Sequence, residues 1–288
     1  MGPGTVSTAT TTRQTERING LSMSWLEWPN PGLPGKCGVV LLHGILQSAD
    51  EHSHIARHLS RFHHVVYPDL RGRGQTEMPD GPCDPATLAT DVAALIEHLD
   101  LERVVVIGRN HGAAVGYHLA ANNPGLVHGL VLGDCSPEIT PERAERRMRD
   151  IAAIPRSFDS LEAAMAFYQD SLGVSVDRAR HDIPNDLEEV NGVYAWRHNL
   201  EHVARLEAAC CPREDWDVVA RIQAPTLVLA GQRSHIARTT VDRLAQTIRR
   251  CEAQVIVGSG PDVYLGPGAE QTRGAIDMFL VRLNRDDR

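Results

Sequence analysis

The chain has 288 residues, 42% of them hydrophobic, and a formal net charge of -8, with a pI near 5.9. That length suits one large α/β domain or two small ones with a sizeable core, and the acidic balance, with no Lys/Arg block to offset it, argues against nucleic acid or an anionic membrane as partner. No apolar run approaches the roughly 20 residues that span a bilayer, and the six cysteines show neither a C-x-x-C pair nor Cys/His zinc spacing, which fits a reduced, cytoplasmic setting.

Residues 1–16 are rich in Thr, Ser and Gly and carry no apolar stretch, so they predict a disordered leader and not a signal peptide. Residues 21–28, closed by Pro29-Asn30-Pro31-Gly32, read as a strand ended by a turn. The apolar run 38–42 has the pattern of a strand buried on both faces. A helix over 51–62 and a strand over 65–67 follow. The next helix spans 84–99, with Asp84 as N-cap and Pro85 in the first turn. Residues 103–107 predict a strand, 111–121 a helix and 126–132 a strand. Strands alternating with helices imply a mostly parallel sheet with helices on both faces.

Past Asp134 the rhythm breaks. Residues 137–220 hold helices, opened by Thr140-Pro141-Glu142, by Ser160-Leu161-Glu162 and near Glu201, but no convincing buried strand. This reads as a helical lid inserted into an α/β core made of residues 17–136 and 221–288. The lid carries six of the thirteen aromatics, Phe158, Phe167, Tyr168, Tyr194, Trp196 and Trp216, which suggests a roof over an apolar pocket; the competing expectation is that they form the lid's own core. Alternation resumes with strands at 226–230 and 254–257 and helices at 240–249 and 269–283.

The stretch Gly108-Arg109-Asn110-His111-Gly112 lies between an apolar strand and a small-residue helix. It has the frame of a nucleophile elbow, in which glycines permit a sharp turn that lifts the central side chain clear of the sheet. The central side chain here is a carboxamide, which can donate and accept hydrogen bonds but cannot attack as an alkoxide, thiolate or carboxylate.

With His43-Gly44 after the first apolar strand, Pro68-Asp69-Leu70-Arg71-Gly72-Arg73-Gly74, the elbow, Pro124 before the strand to Asp134, and Pro225-Thr226-Leu227-Val228-Leu229-Ala230-Gly231, the chain resembles the α/β-hydrolase superfamily from about Leu21 to its end. The elbow and its helix look most like the epoxide hydrolase and haloalkane dehalogenase branch. The resemblance implies an α/β-hydrolase fold and a triad of nucleophile, acid and histidine in that chain order. It implies an acid after Gly231, where the chain reads Gln232-Arg233-Ser234-His235-Ile236. It also implies a histidine after the strand at 254–257, where the chain reads Gly258-Ser259-Gly260-Pro261-Asp262. His235 is the last histidine in the sequence. All three triad positions are thus read as substituted. Backbone N–H groups of His111 and of Gly44 or Ile45 would still form an oxyanion hole.

The residues singled out as catalytic are Asn110 as an orienting group and His111 and His235 as acid/base candidates. Pocket candidates are His43, Gly44, Ile45, Asp134, Ser234, Asp262, Tyr264, Tyr168 and Trp196. His43 and Asp134 also have structural readings, Cys135 reads as an inert buried thiol, and Arg109 and Arg233 could bind an anionic group. No cofactor and no metal are implied. The favoured expectation is a small-molecule enzyme acting on an apolar carbonyl-bearing metabolite without hydrolysis, by cyclisation, isomerisation, elimination or decarboxylation. The alternatives are a pseudoenzyme that binds a ligand or protein, and an ester or epoxide hydrolase with a relocated base such as His235. Oligomeric state is not legible.

Overall fold

The computed structural model describes residues 11–30, 37–50, 53–171 and 176–286. β1 (Thr12–Ile18) and β2 (Leu21–Trp28) form an antiparallel hairpin turned at Asn19-Gly20, both at positive φ. Residues 12–16 are therefore sheet and not leader, while residues 1–10 lie outside the described residues. This edge strand reads Thr-Arg-Gln-Thr-Glu and is mostly exposed, so no apolar pattern announces it. It is tied down through Arg13, which donates to Asp69 and to Asp50, each at 2.7 Å.

The core continues with β3 (Cys37–Leu42), α1 (Ser53–Leu59), β4 (His64–Pro68), α2 (Pro85–His98), β5 (Arg103–Arg109), α3 (His111–Asn122) and β6 (Val127–Gly133). Asp84 caps α2 as expected, its carboxylate accepting from the N–H groups of Ala86 and Thr87. An insertion follows, made of β7 (Glu138–Ile139), α4 (Pro141–Ala152), β8 (Ser157–Phe158), α5 (Leu161–Asp170), α6 (Val176–Asp186), β9 (Leu187–Val190), β10 (Val193–Trp196), α7 (Leu200–Cys210), β11 (Arg213–Glu214) and α8 (Trp216–Val219). The core closes with β12 (Thr226–Gly231), α9 (Arg238–Thr247), β13 (Cys251–Ile256) and α10 (Ala269–Asp286).

Among the described residues the main sheet has eight strands in the order β1-β2-β4-β3-β5-β6-β12-β13. β1 and β2 run antiparallel and the remainder parallel. Successive strand residues point to opposite faces. Val40, Leu42, Val104 and Val106 pack with α2, α3, α8 and α9 on one face. Val39, Leu41, Val105 and Ile107 pack with α1 and α10 on the other. Burying each such side chain stabilises the fold by about 1.5–3 kcal/mol, and both faces are covered, which is why these strands read as unbroken apolar runs.

The insertion is not purely helical. β9, β10 and β8 form a small antiparallel sheet and β7 pairs with β11. These strands are two to four residues long, too short to leave a period in the sequence. Phe158, Tyr168, Phe167, Tyr194 and Trp196 cluster with one another inside the insertion, while Trp216 belongs to the main core with Arg243 stacked on its ring at 3.8 Å. The lid aromatics are thus chiefly packing residues. No described helix is long and apolar enough to cross a membrane.

Candidate active site

Adjacent parallel strands bring the chemistry together. β5 lies beside β6 with Arg109 opposite Gly133, and β6 lies beside β12 with Gly133 opposite Leu229. The residues just past those strand ends, Asn110, Asp134 and the turn after Gly231, therefore emerge side by side at the carboxyl edge of the sheet. This is where open α/β sheets bind ligands.

Asn110 adopts φ 51° and ψ -112°, a conformation uncommon outside glycine. Its N–H donates to Gly133 O at 2.9 Å. The glycines flanking it are fixed by close packing. A Cβ on Gly108 would lie 2.7 Å from Ala113 Cα, and one on Gly112 would lie 2.5 Å from His43 O. The elbow expected from the sequence is thus present. Of the expected oxyanion donors, those of His111 and Gly44 are not free. The N–H of His111 donates to Asn110 Oδ1 at 2.8 Å, and the N–H of Gly44 donates to Gln47 Oε1 at 3.0 Å, an oxygen that also accepts from Arg109 at 2.7 Å.

A cavity of about 580 Å³ opens between core and insertion. Gly44, Ile45, Asn110, His235, Asp262, Tyr168 and Trp196 line it, all singled out from the sequence. Tyr168 and Trp196 stack at 5.8 Å, and Tyr168 donates to Asp186 Oδ2 at 2.7 Å. The apolar pocket expected from the sequence also carries charge, because Arg109, Arg233, Asp182 and Asp186 face this space. Asp262 sits 3.6 Å from the guanidinium of Arg109. His235 is exposed, at the rim.

Asp134 is buried at φ 47°. Burial pushes its carboxyl up to about 6, against the pull of Ser234, Arg109 and His235, which favour the charged form. One carboxyl oxygen, Oδ1, has no hydrogen-bond partner among the described residues. Ser234 also accepts from the N–H of Ile236 at 2.8 Å.

Asp134 and Ser234 are set back from the lining of this cavity, and the remaining candidates face elsewhere. His111 is buried and turns away from the cavity toward α7, where the Cys210 thiol reaches its Nδ1 at 3.1 Å. Burial, reinforced by the charge of Arg213, holds its pKa well below the ordinary histidine value. His43 accepts the N–H of Leu70 on Nε2 at 2.9 Å and meets Gly44 O through Nδ1 at 2.8 Å, so it clamps two loops and does not line the cavity. Tyr264 lies under the elbow, its hydroxyl 3.5 Å from Gly108 O, outside the cavity lining. Sequence reading missed Gln47 and the arginines Arg143, Arg147 and Arg213, because polar residues in a loop or on a helix face carry no period. All six cysteines are unpaired. Among the described residues no three His, Cys, Asp or Glu side chains are grouped to hold a metal.

The model of the alpha/beta hydrolase family matches residues 39–270. The chain belongs to that family. A similar family member is the soluble epoxide hydrolase of Corynebacterium sp. (strain C12), 38% identical over 120 residues, which are 42% of this chain and 40% of that protein. This chain thus matches only about two fifths of that enzyme's length. The 2-(acetamidomethylene)succinate hydrolase of Mesorhizobium japonicum is 25% identical over 246 residues, covering 84% of this chain and 87% of that protein. In fold, the crystal structure of E-2-(acetamidomethylene)succinate hydrolase superposes with a TM-score of 0.82 at 19% identity, over 94% of this chain and 99% of that one. These relatives bear hydrolase names.

Proposed function

We propose that the chain is a small-molecule hydrolase with a relocated base, in which water attacks the substrate directly and no covalent enzyme intermediate forms. Asn110 stands where the family's nucleophile belongs, and its carboxamide orients an ester or epoxide oxygen. His235 takes a proton from water as the water oxygen bonds to the electrophilic carbon. Asp134, with its raised pKa, gives a proton to the leaving oxygen as the old carbon–oxygen bond breaks, and the two groups exchange protons with solvent to reset. The observation that carries this reading is that Asn110 and His235 line one cavity while Asp134 borders a smaller space that Asn110 also lines. On panels of esters and epoxides, His235→Ala is expected to lower the turnover rate by about 10²–10⁴-fold. Undiminished turnover would overturn the assignment.

A second reading, proton transfer without hydrolysis, is favoured by one observation: the N–H groups of His111 and Gly44, which would receive a tetrahedral oxyanion, are already engaged. Product formed in oxygen-18 water without uptake of the oxygen label would select this reading over the first.

A further inference from the structure

Beneath α4 and α7 lies a second space of about 20 Å³, bordered, like the main cavity, by Asn110. It has room for about one water-sized group. Arg143 and Arg147 reach it from α4, Arg213 from β11 and His111 from α3. Two of these cations have anionic partners. Arg147 pairs with the buried Glu207, donating at 3.0 Å, and Arg213 lies 3.7 Å from Asp215. Arg143 has no ion pair among the described residues, and its charge faces the same space.

The imidazole of His111 supplies an independent sign of a ligand. It is only 4% exposed, and its Nε2 has no partner among the described residues. Burial pushes the Cys210 thiol up, so the sulfur keeps its proton and has it to offer to Nδ1 at 3.1 Å. A neutral ring that accepts at Nδ1 carries its own proton at Nε2. The result is a buried N–H donor beside the Arg143 guanidinium, which feels the charge of Asp134 across the space but makes no direct ion pair among the described residues, so both groups can take an acceptor.

We propose that this space is a subsite for a carboxylate carried by the substrate, held by Arg143 and by the Nε2–H of His111. Its volume of about 20 Å³ admits one oxygen of the carboxylate head. Asp134 also lines the space, and a neighbouring anion strengthens its hold on its proton, which keeps it in the acid role. The inference deepens the hydrolase reading by naming the substrate class, and rests on it only in assigning the carboxylate to the substrate.

The test is thermal unfolding of the full chain in sodium formate, sodium chloride and sodium sulfate at matched ionic strength. Formate is expected to raise Tm saturably, as a ligand of the folded state does, and the other two salts are not. Arg143→Gln is expected to weaken formate at least tenfold, with Arg143→Lys recovering part of the loss. An equal response to chloride would mark a general anion site, and no response, or an unchanged formate affinity in Arg143→Gln, would also overturn the subsite. No turnover is involved. A formate response in a protein whose activity survives His235→Ala sinks the catalytic reading alone, and the converse result sinks only the subsite.

Discussion

Asn110 Oδ1 accepts the N–H of His111 at 2.8 Å, so the elbow side chain occupies the backbone donor beside it. An amide is neutral and can rest on that donor without giving up reactivity, because it has none as a nucleophile. The contact also caps α3, whose first turn carries no other side-chain acceptor at its N-cap.

The positive φ of Asn110 costs on the order of 1–3 kcal/mol in a residue with a Cβ. Asn110→Gly removes the strain and loses the cap hydrogen bond, a change that costs only about a few tenths of a kcal/mol at an N-cap, so it is expected to be at least as stable as the parent in urea unfolding. Asn110→Ala keeps the strain, loses the cap and is expected to be less stable by about 1 kcal/mol. Both should lose activity, which separates the orienting role from the structural one.

The glycine frame is a packing requirement independent of chemistry. Gly112→Ala would press a methyl group against the carbonyl oxygens of Leu42 and His43. A loss of more than about 3 kcal/mol is expected, since backbone on both sides must move. A variant with unchanged urea midpoint would show that the β3 loop yields more easily than this contact implies.

Asp134 sets a pH dependence of stability. Its folded pKa, about 6, is above its ordinary value, so the folded chain binds more protons than the unfolded chain between roughly pH 4 and 6. Stability therefore falls as pH rises through that window, by an amount on the order of 3 kcal/mol if no other group offsets it. Asp134→Asn should gain stability over the parent at pH 8 and none at pH 4, measured by urea unfolding at each pH. If Asp134 is the proton donor, the parent's turnover also declines above about pH 6.

Gln47 holds the loop after β3 by accepting from both Gly44 and Arg109. Gln47→Ala leaves the buried N–H of Gly44 without its acceptor, a cost of about 1–3 kcal/mol by chemical denaturation. The same change frees that N–H for a substrate oxygen, so a hydrolase that uses it should show a lower KM for esters.

Much of the frame was legible in the chain. Val39 to Leu42 and Val104 to Ile107 are apolar without interruption because both faces of their strands are covered, and Asp84, Thr140 and Ser160 announce helices because each caps one. The hairpin partner β1 and the short strands of the insertion were not legible. One is a polar edge and the others are shorter than a detectable period.

The sequence by itself determined that the elbow carries an amide and that no histidine follows His235, because these are facts of residue identity that no folding can alter. Only the tertiary structure decided which candidates meet. Strand order sets Asn110, Asp134 and the Ser234-His235 turn side by side. Side-chain direction sends His111 toward Cys210 and the arginines, and His43 and Tyr264 beneath the loops. The engagement of the His111 and Gly44 N–H groups was likewise invisible in the sequence, since a hydrogen bond depends on distances that close only when β3, β5 and their loops are packed together.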